Sequence, residues 1–228
     1  MTLPEIIYED ADILVCYKPA GLAVQTKRLG QQDLETGLKN YRARKKEPPY
    51  IGVVHRLDQP VEGVMVFGKT REATAALSKQ VQGREIGKYY YAVGTRTAEK
   101  TGKVLVKTGE KGRLTDYLAF DARKNLGYVS DKNDREAKKA VLDYEVMDLS
   151  EDGKKVRFRI TLHTGRHHQI RLQLANLGCP LQGDSKYGGM TEDADGQKLP
   201  LALCSYRLEF VHPRSGKRME FSIKPRNL

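Results

Sequence analysis

The sequence predicts an α+β fold with a mixed, mostly antiparallel central sheet and flanking helices. Short apolar stretches dominate the chain, and one alternates regularly, with Val156, Phe158, Ile160 and Leu162 separated by polar residues. Alternation of this kind places one face of a strand against the core and the other toward water. Mostly antiparallel strands with interspersed helices are typical of α+β domains. We expect one domain covering residues 1–228.

The predicted strands share a short run of apolar or β-branched residues bounded by polar or turn residues. In chain order they are residues 6–8, 13–16, 51–54, 64–67, 89–93, 104–106, 141–147 and 155–162. Two basic or polar stretches, residues 39–49 and 123–139, are predicted to be exposed connections. Their charge is explained either by a solvated face or by contacts with phosphates.

Three segments carry helical periodicity, at residues 33–41, 70–81 and 167–177. In the second, Thr70 is suited to cap the first turn and Gly83 to stop the helix. In the third, Gly178 follows the last apolar residue and is the expected terminator. Their apolar stripes are Leu34, Leu38 and Tyr41; Ala73, Leu77 and Val81; and Ile170, Leu174 and Leu177.

The composition favours a polyanionic partner. Forty Lys and Arg against 29 Asp and Glu give a formal net charge of +11, so nucleic acid is the leading candidate. No apolar run approaches the roughly 20 residues of a spanning helix, and no signal-like segment opens the chain. We therefore expect a soluble, cytoplasmic protein without membrane contact. Three widely spaced cysteines predict neither a disulfide framework nor a zinc ribbon.

Residues 63–70 fit the spacing of a phosphate-binding loop, Gly, four residues, then Gly-Lys-Thr. That motif would indicate a nucleotide triphosphatase. The four intervening residues are Val-Met-Val-Phe, whereas a loop that wraps its amides around an anion needs small, flexible residues. A buried strand followed by a helix start at Lys69 and Thr70 is the better interpretation.

His163, His167 and His168 raise the possibility of a metal site, because histidine is a common ligand. No nearby cysteine or glutamate completes a ligand set. We therefore assign no metal.

The turn between the predicted strands 51–54 and 64–67 carries Asp58. A loop held by two rigid elements is a common place for a reactive group, because the scaffold fixes its position while substrate can reach it. An ordinary solvated turn is the alternative, since Asp, Gln, Pro and Gly are common turn residues.

Arg171 and Tyr90 are two further candidate functional residues. Arg171 falls on the border of the apolar stripe of the third helix, where a guanidinium group needs an anion. Asp58 is one candidate for the ion-pair partner of Arg171, and another acid or solvent is the alternative. Tyr90 takes the opposite strand face from Tyr89 and Tyr91, where it either packs in the core or stacks on a base.

Together these segments resemble the pseudouridine synthases, specifically the branch of bacterial large-subunit and tRNA enzymes of the A type. The matching segments are residues 12–21, 55–70, 88–94, 164–188 and 208–213, in the family's order and spacing. The resemblance implies that Asp58 is the catalytic aspartate, Tyr90 the active-site tyrosine and Arg171 the arginine that pairs with the aspartate. Candidates for RNA contact are His55, Arg56, Lys88, Arg166, His168 and Gln169.

The chain departs from the family pattern at residues 59–62, at His167 and at Gln173, which bears on the choice of RNA rather than on the chemistry. The implied reaction isomerises uridine to pseudouridine in ribosomal or transfer RNA, and it needs no cofactor. RNA is the expected partner, and no obligate protein partner is indicated. The alternative is a non-catalytic RNA-binding or assembly factor of the same fold.

Overall fold

The computed structural model describes residues 4–28, 30–96 and 106–228. The elements in chain order are β1 (Glu5–Glu9), β2 (Ile13–Lys18), α1 (Leu34–Arg44), β3 (Gly52–Val53), β4 (Glu62–Gly68), α2 (Arg71–Gly83), β5 (Gly87–Thr95), β6 (Lys111–Asp121), β7 (Leu126–Ser130), β8 (Lys138–Leu149), β9 (Lys155–Leu162), α3 (Gln169–Leu177), β10 (Leu203–Val211) and β11 (Arg218–Ser222). Antiparallel pairing of most strands, with helices between them, confirms the predicted α+β class.

The chain divides into two compact units. The first comprises Met1–Lys88 and Ser205–Pro225, and the second comprises Tyr89–Cys204 and Arg226–Leu228. The single-domain assignment of residues 1–228 stays a prediction.

In the first unit the sheet order is β1, β2, β4 and β10, with β3 beside β4 and β11 beside β10. The strands β2 and β4 are buried along their whole length and pair antiparallel, with Val15 opposite Val66. Such strands read as continuous apolar runs because both faces lie against protein. Leu77 of α2 packs against the cluster formed by alternate residues of these strands.

In the second unit the sheet order is β5, β9, β8, β6 and β7. The predicted alternation of β9 is confirmed, because Val156, Phe158 and Ile160 are fully buried while the intervening residues are not. The helix α3 covers one face near β6, where Leu172 joins Leu118 and Ala140 in a small core cluster.

The helix caps agree with the sequence in most respects. Thr70 accepts a hydrogen bond from the N–H of Ala73 at 3.1 Å, and Gly178 ends α3 with φ of +92°. The helix α2 ends at Gly83, as expected, but the residue in the left-handed conformation is the next one, Arg84, with φ of +60°. The third helix begins at Gln169 rather than at residue 167, since His168 also adopts a left-handed conformation.

The sequence patterns do not predict β6, β7, β10 or β11. The connection expected over residues 123–139 is wrong in part, because it contains β7 and the start of β8. Likewise α1 extends to Arg44, inside the connection expected over 39–49. Of the strand expected at 104–106, the first two residues lie outside the described ranges, and Val106 belongs to no strand.

The phosphate-loop interpretation of residues 63–70 is excluded by the conformation of β4. Its residues form an extended, buried strand, so their amides cannot wrap around an anion. The ammonium group of Lys69 donates to Glu9 Oε1 at 2.6 Å and to the carbonyl of Asp10 at 2.7 Å. Lys69 is therefore a structural residue. No helix in the described part of the chain is long and apolar enough to span a membrane.

Candidate active site

Asp58 lies on a tight turn that leads into β4. Its carbonyl accepts a hydrogen bond from the N–H of Val61 at 3.0 Å, and its side chain is half-buried. The next residue, Gln59, exchanges two hydrogen bonds with Gly21: Gly21 N–H donates to the Gln59 carbonyl at 2.9 Å, and Gln59 Nε2 donates to the Gly21 carbonyl at 3.0 Å. The turn is thus fastened to the segment that follows β2.

A buried lysine completes this attachment. Lys18, the last residue of β2, has no exposed surface. Its ammonium group donates to the carbonyls of Pro19 at 3.0 Å, Leu22 at 2.6 Å and Gln59 at 3.0 Å. Burial lowers the pKa of Lys18 to about 8, and the nearby Asp58 carboxylate opposes this shift by attraction. Lys18 is a site residue that the sequence reasoning missed, although residues 12–21 carried part of the resemblance.

The chain after Asp58 is fixed by two close contacts. The buried carboxylate of Glu62 accepts a hydrogen bond from the Tyr17 hydroxyl at 2.5 Å. A Cβ atom on Gly63 would come within 2.5 Å of the Ser205 Cβ, so only glycine fits there. Asp58 therefore stands on a turn whose two ends are both held by buried residues of the first unit.

His55 has a structural contact within the same unit. Its Nε2 accepts a hydrogen bond from the N–H of Val66 at 3.2 Å. Burial, with a smaller contribution from the positive charge of Lys88, lowers the pKa of His55 to about 3, so the ring is neutral. The Arg56 side chain is exposed. Lys88 is partly buried, and this burial lowers its pKa. The RNA contacts expected of these residues stay predictions.

In the second unit, Tyr90 lies in β5 opposite Ile160 of β9. Its side chain is only 6% exposed, whereas Tyr89 and Tyr91, on the other face of the strand, are half-buried. The expected alternation of the three tyrosines is confirmed. The catalytic role of Tyr90 stays a prediction.

Arg171 forms a buried, bidentate ion pair with Asp184. Its Nε donates to Oδ2 at 2.8 Å and its Nη2 to Oδ1 at 2.7 Å. The same carboxylate accepts from the N–H groups of Lys186 at 3.0 Å and Tyr187 at 3.3 Å. The guanidinium carbon lies 5.3 Å from the centre of the Tyr187 ring. Bidentate pairing fixes the plane of the guanidinium group.

Asp184 was not among the residues selected from the sequence. The sequence analysis had only allowed that an unnamed acid other than Asp58 pairs with Arg171. The signal was the segment 183–188, Gly-Asp-Ser-Lys-Tyr-Gly, which lies inside the matched stretch 164–188. The pairing of Arg171 with Asp58 stays a prediction.

His168 occupies the position before α3 with φ of +53°. Its Nδ1 lies 2.8 Å from the Tyr187 hydroxyl, which also accepts the N–H of Gly127 at 2.8 Å. Burial, and then the charge of Arg171, lowers the pKa of His168 to about 3. The ring is therefore neutral.

Gln169 and Arg166 fasten the start of α3. The buried amide of Gln169 accepts from the Thr164 hydroxyl at 2.8 Å and from the Arg166 N–H at 3.0 Å. It donates to the Gln173 amide oxygen at 2.9 Å. The Arg166 side chain donates through Nε to the carbonyl of Lys139 at 3.1 Å. Their expected RNA contacts stay predictions.

Two histidines have carboxylate partners that bear on the assignment of no metal. His163 Nε2 lies 2.7 Å from Asp143. Asp10, Asp12 and His212 of the first unit lie close enough together to share an ion. However, His212 Nε2 contacts Asp10 at 2.8 Å and Arg214 pairs with Asp12 at 2.6 Å, so these acids already have partners. The assignment of no metal stays a prediction.

An acidic residue on a firmly held turn, in a basic chain of this antiparallel α+β fold, fits an enzyme that works on nucleic acid. The sequence model of the RNA pseudouridylate synthase family matches residues 12–176. The chain belongs to this family, which confirms the resemblance seen in the sequence.

Individual relatives agree with this membership. An uncharacterized RNA pseudouridine synthase of Aquifex aeolicus is 34% identical over 96% of this chain and 68% of its own length. Ribosomal large subunit pseudouridine synthase D of Pseudomonas aeruginosa is also 34% identical, over 95% of this chain and 67% of its own length. The structure of human RNA pseudouridylate synthase domain containing 4 matches the fold with a TM-score of 0.70, covering 97% of this chain and 89% of that chain at 22% identity.

Proposed function

We propose that this protein isomerises uridine to pseudouridine in large-subunit ribosomal RNA and that Asp58 is its catalytic residue. The observation that carries the proposal is the turn of Asp58, which Lys18 and Gly21 hold through the neighbouring Gln59. Family membership supplies the reaction class. The ribosomal target is supported by the name of the Pseudomonas aeruginosa relative, a ribosomal large subunit enzyme.

The reaction rearranges bonds without adding or removing atoms. The bond between ribose C1′ and uracil N1 breaks, the uracil turns, and C1′ joins C5. The proton on C5 leaves, and N1 gains a proton. A carboxylate suits the first step, because it can either form a covalent adduct or stabilise the positive charge that develops at the sugar, as in retaining glycosidases. Asp58 fills this role.

Arg171 and Tyr90 assist Asp58 in this proposal. A guanidinium group within hydrogen-bond reach of a carboxylate keeps it ionised at neutral pH. Asp184 fixes the plane of the Arg171 guanidinium group through its bidentate contact. Tyr90 stacks on the uracil and relays a proton during the rearrangement.

The target nucleotide must leave its stack before Asp58 can reach the ribose, so the enzyme acts on loops or locally opened RNA. The net charge of +11 supports phosphate contacts along the backbone. His55, Arg56, Lys88, Arg166, His168 and Gln169 remain the proposed RNA-contact residues. We place the activity in the cytoplasm, without an obligate protein partner.

The test compares Asp58→Asn with the wild-type enzyme on a large-subunit ribosomal RNA transcript labelled with tritium at uracil C5. Loss of the C5 proton releases tritium, so the assay follows the isomerisation directly. We expect no release from Asp58→Asn, because an amide neither attacks C1′ nor carries a charge, while affinity for the transcript persists. The matched control is Asp195→Asn, which makes the same change at an exposed residue and should retain full activity.

Tritium release by Asp58→Asn at the wild-type rate would contradict the proposal. Wild-type enzyme that binds the transcript without releasing tritium would show that the target RNA is wrong.

A further inference from the structure

Four rings form a continuous column in the second unit. The ring centres of Phe120 and His167 are 4.2 Å apart in an edge arrangement, and those of His167 and His168 are 3.9 Å apart. His168 in turn meets the edge of Tyr187 at 5.6 Å, and Tyr187 lies beneath the Arg171 guanidinium group. The column thus runs from the surface to the arginine of the proposed active site.

The two ends of the column differ in exposure. His168 is 7% exposed and is fixed by the Tyr187 hydroxyl. Phe120 is 41% exposed, and His167 is also exposed. Removing an aromatic ring of this size from water is favourable, so the outer end of the column offers a partner an apolar surface to cover.

The position of Phe120 follows from the register of β6. Alternate residues of a strand share a face, so Asp116, Leu118 and Phe120 point the same way. Asp116 accepts hydrogen bonds from Gln173 and Asn176 of α3, and Leu118 packs with Leu172. Phe120 is the next residue on this face of β6 and lies beyond the first residue of α3. There its ring contacts the ring of His167.

Two cationic side chains are attached to segments that adjoin the exposed rings in the chain. Arg166 precedes His167 and is held by its Nε contact with the carbonyl of Lys139. Lys186 donates through Nζ to the carbonyl of Asn125 at 2.6 Å, in the turn that joins Phe120's strand to β7. Two anchored cations beside exposed rings suit a ligand that carries both a flat apolar face and negative charge.

We propose that Phe120 and His167 form a stacking platform for an unpaired base that flanks the target uridine. This inference rests on the proposed function, since it assigns a place to the RNA of the same reaction. Because the two rings meet at an interplanar angle of 60°, the base stacks on the face of one ring and touches the other at its edge, while Arg166 and Lys186 contact the adjoining phosphates. Every base has an aromatic face, so the platform adds affinity without selecting a sequence.

Nucleic acid matches the platform better than an apolar peptide does. An apolar partner would have to desolvate the neighbouring cations without offering them an anion, which is unfavourable. A nucleotide satisfies the rings and the cations together.

The experiment measures KM and kcat for pseudouridine formation on the large-subunit transcript, together with transcript affinity by filter binding. Phe120→Ala should raise KM and weaken binding by about 5- to 150-fold, the range for the loss of one stacked base, while kcat at saturating RNA stays unchanged. Phe120→Trp should restore both values because it keeps an aromatic face. The matched control is Met147→Ala, which truncates an apolar residue of similar exposure, 38%, in β8, and should behave as wild type.

Salt dependence separates stacking from phosphate contact. The slope of affinity against salt should be unchanged in Phe120→Ala and reduced by about one in Lys186→Ala. A KM for Phe120→Ala equal to that of Met147→Ala would overturn the platform. If the wild type binds the transcript but forms no pseudouridine, the proposed target fails, and the filter-binding comparison still decides the platform.

A second measurement holds even if Phe120→Ala does not fold. Wild-type enzyme is irradiated with a transcript containing 5-iodocytidine, which is not itself a target base, and the adducts are mapped by mass spectrometry. Adducts on Phe120 or His167 are expected. Adducts confined to other residues would overturn the platform.

Discussion

A fully buried ammonium group holds the turn that carries Asp58. Lys18 donates hydrogen bonds to three backbone carbonyls, one of which belongs to Gln59, the residue after Asp58. A buried charge persists only when hydrogen bonds replace its lost hydration. Lys18 therefore links the end of β2 to the turn of Asp58.

Replacing Lys18 with methionine should destabilise the protein by about 3 kcal/mol, because each hydrogen bond from a charged donor contributes roughly 1.5–3 kcal/mol and water can replace the donor at the exposed residues Pro19 and Gln59. Urea unfolding followed by circular dichroism measures the change. Lys27→Met makes the same substitution at an exposed residue and should change stability little. Equal unfolding midpoints for the two variants would show that the Lys18 contacts contribute nothing.

His55 should make stability depend on pH. Its pKa is about 3 in the folded protein and about 6.5 when unfolded, so between these values the unfolded state binds the additional proton. The stabilisation is complete above pH 6.5 and is lost as the pH falls, at up to about 1.4 kcal/mol per pH unit. His55→Gln should show a shallower decline in unfolding free energy between pH 6 and 4. Part of the decline should remain, because His168, whose pKa is also lowered, is still present. Parallel curves for the two proteins would contradict this.

The residues of the proposed site were predictable only where the local pattern was informative. Asp58 stood on a turn between two apolar runs, and Tyr90 lay in an alternating strand. The partners Lys18 and Asp184 were missed, because nothing local shows that a side chain will be buried beside a carbonyl or guanidinium group distant in sequence. Such contacts exist only after the chain has folded.

At the scale of the elements, the end of α2 is under local strain. Arg84 adopts φ of +60°, a conformation that costs residues with a Cβ about 1 kcal/mol relative to glycine. Arg84→Gly should therefore raise the free energy of unfolding by up to about 1 kcal/mol. Gln82→Gly, inside the helix, should lower it by about the same amount. A destabilised Arg84→Gly variant in thermal unfolding would refute this account of the helix end.

Helices and fully buried strands were predictable, since caps and apolar periodicity are local signals. The strands β6 and β7 were not, because polar residues and a glycine interrupt their apolar pattern. At Gly127 a Cβ would meet the Tyr187 hydroxyl at 3.2 Å and a Leu172 methyl group at 3.3 Å. Gly127 therefore allows α3 and the loop after it to approach the strand closely. It is not there to form a turn. Contacts of that kind are set by tertiary structure.

At the scale of the whole molecule, the chain divides into two compact units. Asp58 belongs to the first unit, and Tyr90 and Arg171 belong to the second. The order and spacing of several weak motifs identified the family from sequence, although no single motif was specific. The net charge of +11 suits the polyanionic substrate of that family.

The central claim is that Asp58 drives pseudouridine formation in large-subunit ribosomal RNA. The most direct measurement maps pseudouridines in the RNA of cells that lack the gene and carry either the wild-type chain or Asp58→Asn at equal protein levels. We predict that at least one large-subunit pseudouridine disappears without the gene, returns with the wild type and stays absent with Asp58→Asn. Return of the same modification with Asp58→Asn would contradict the account.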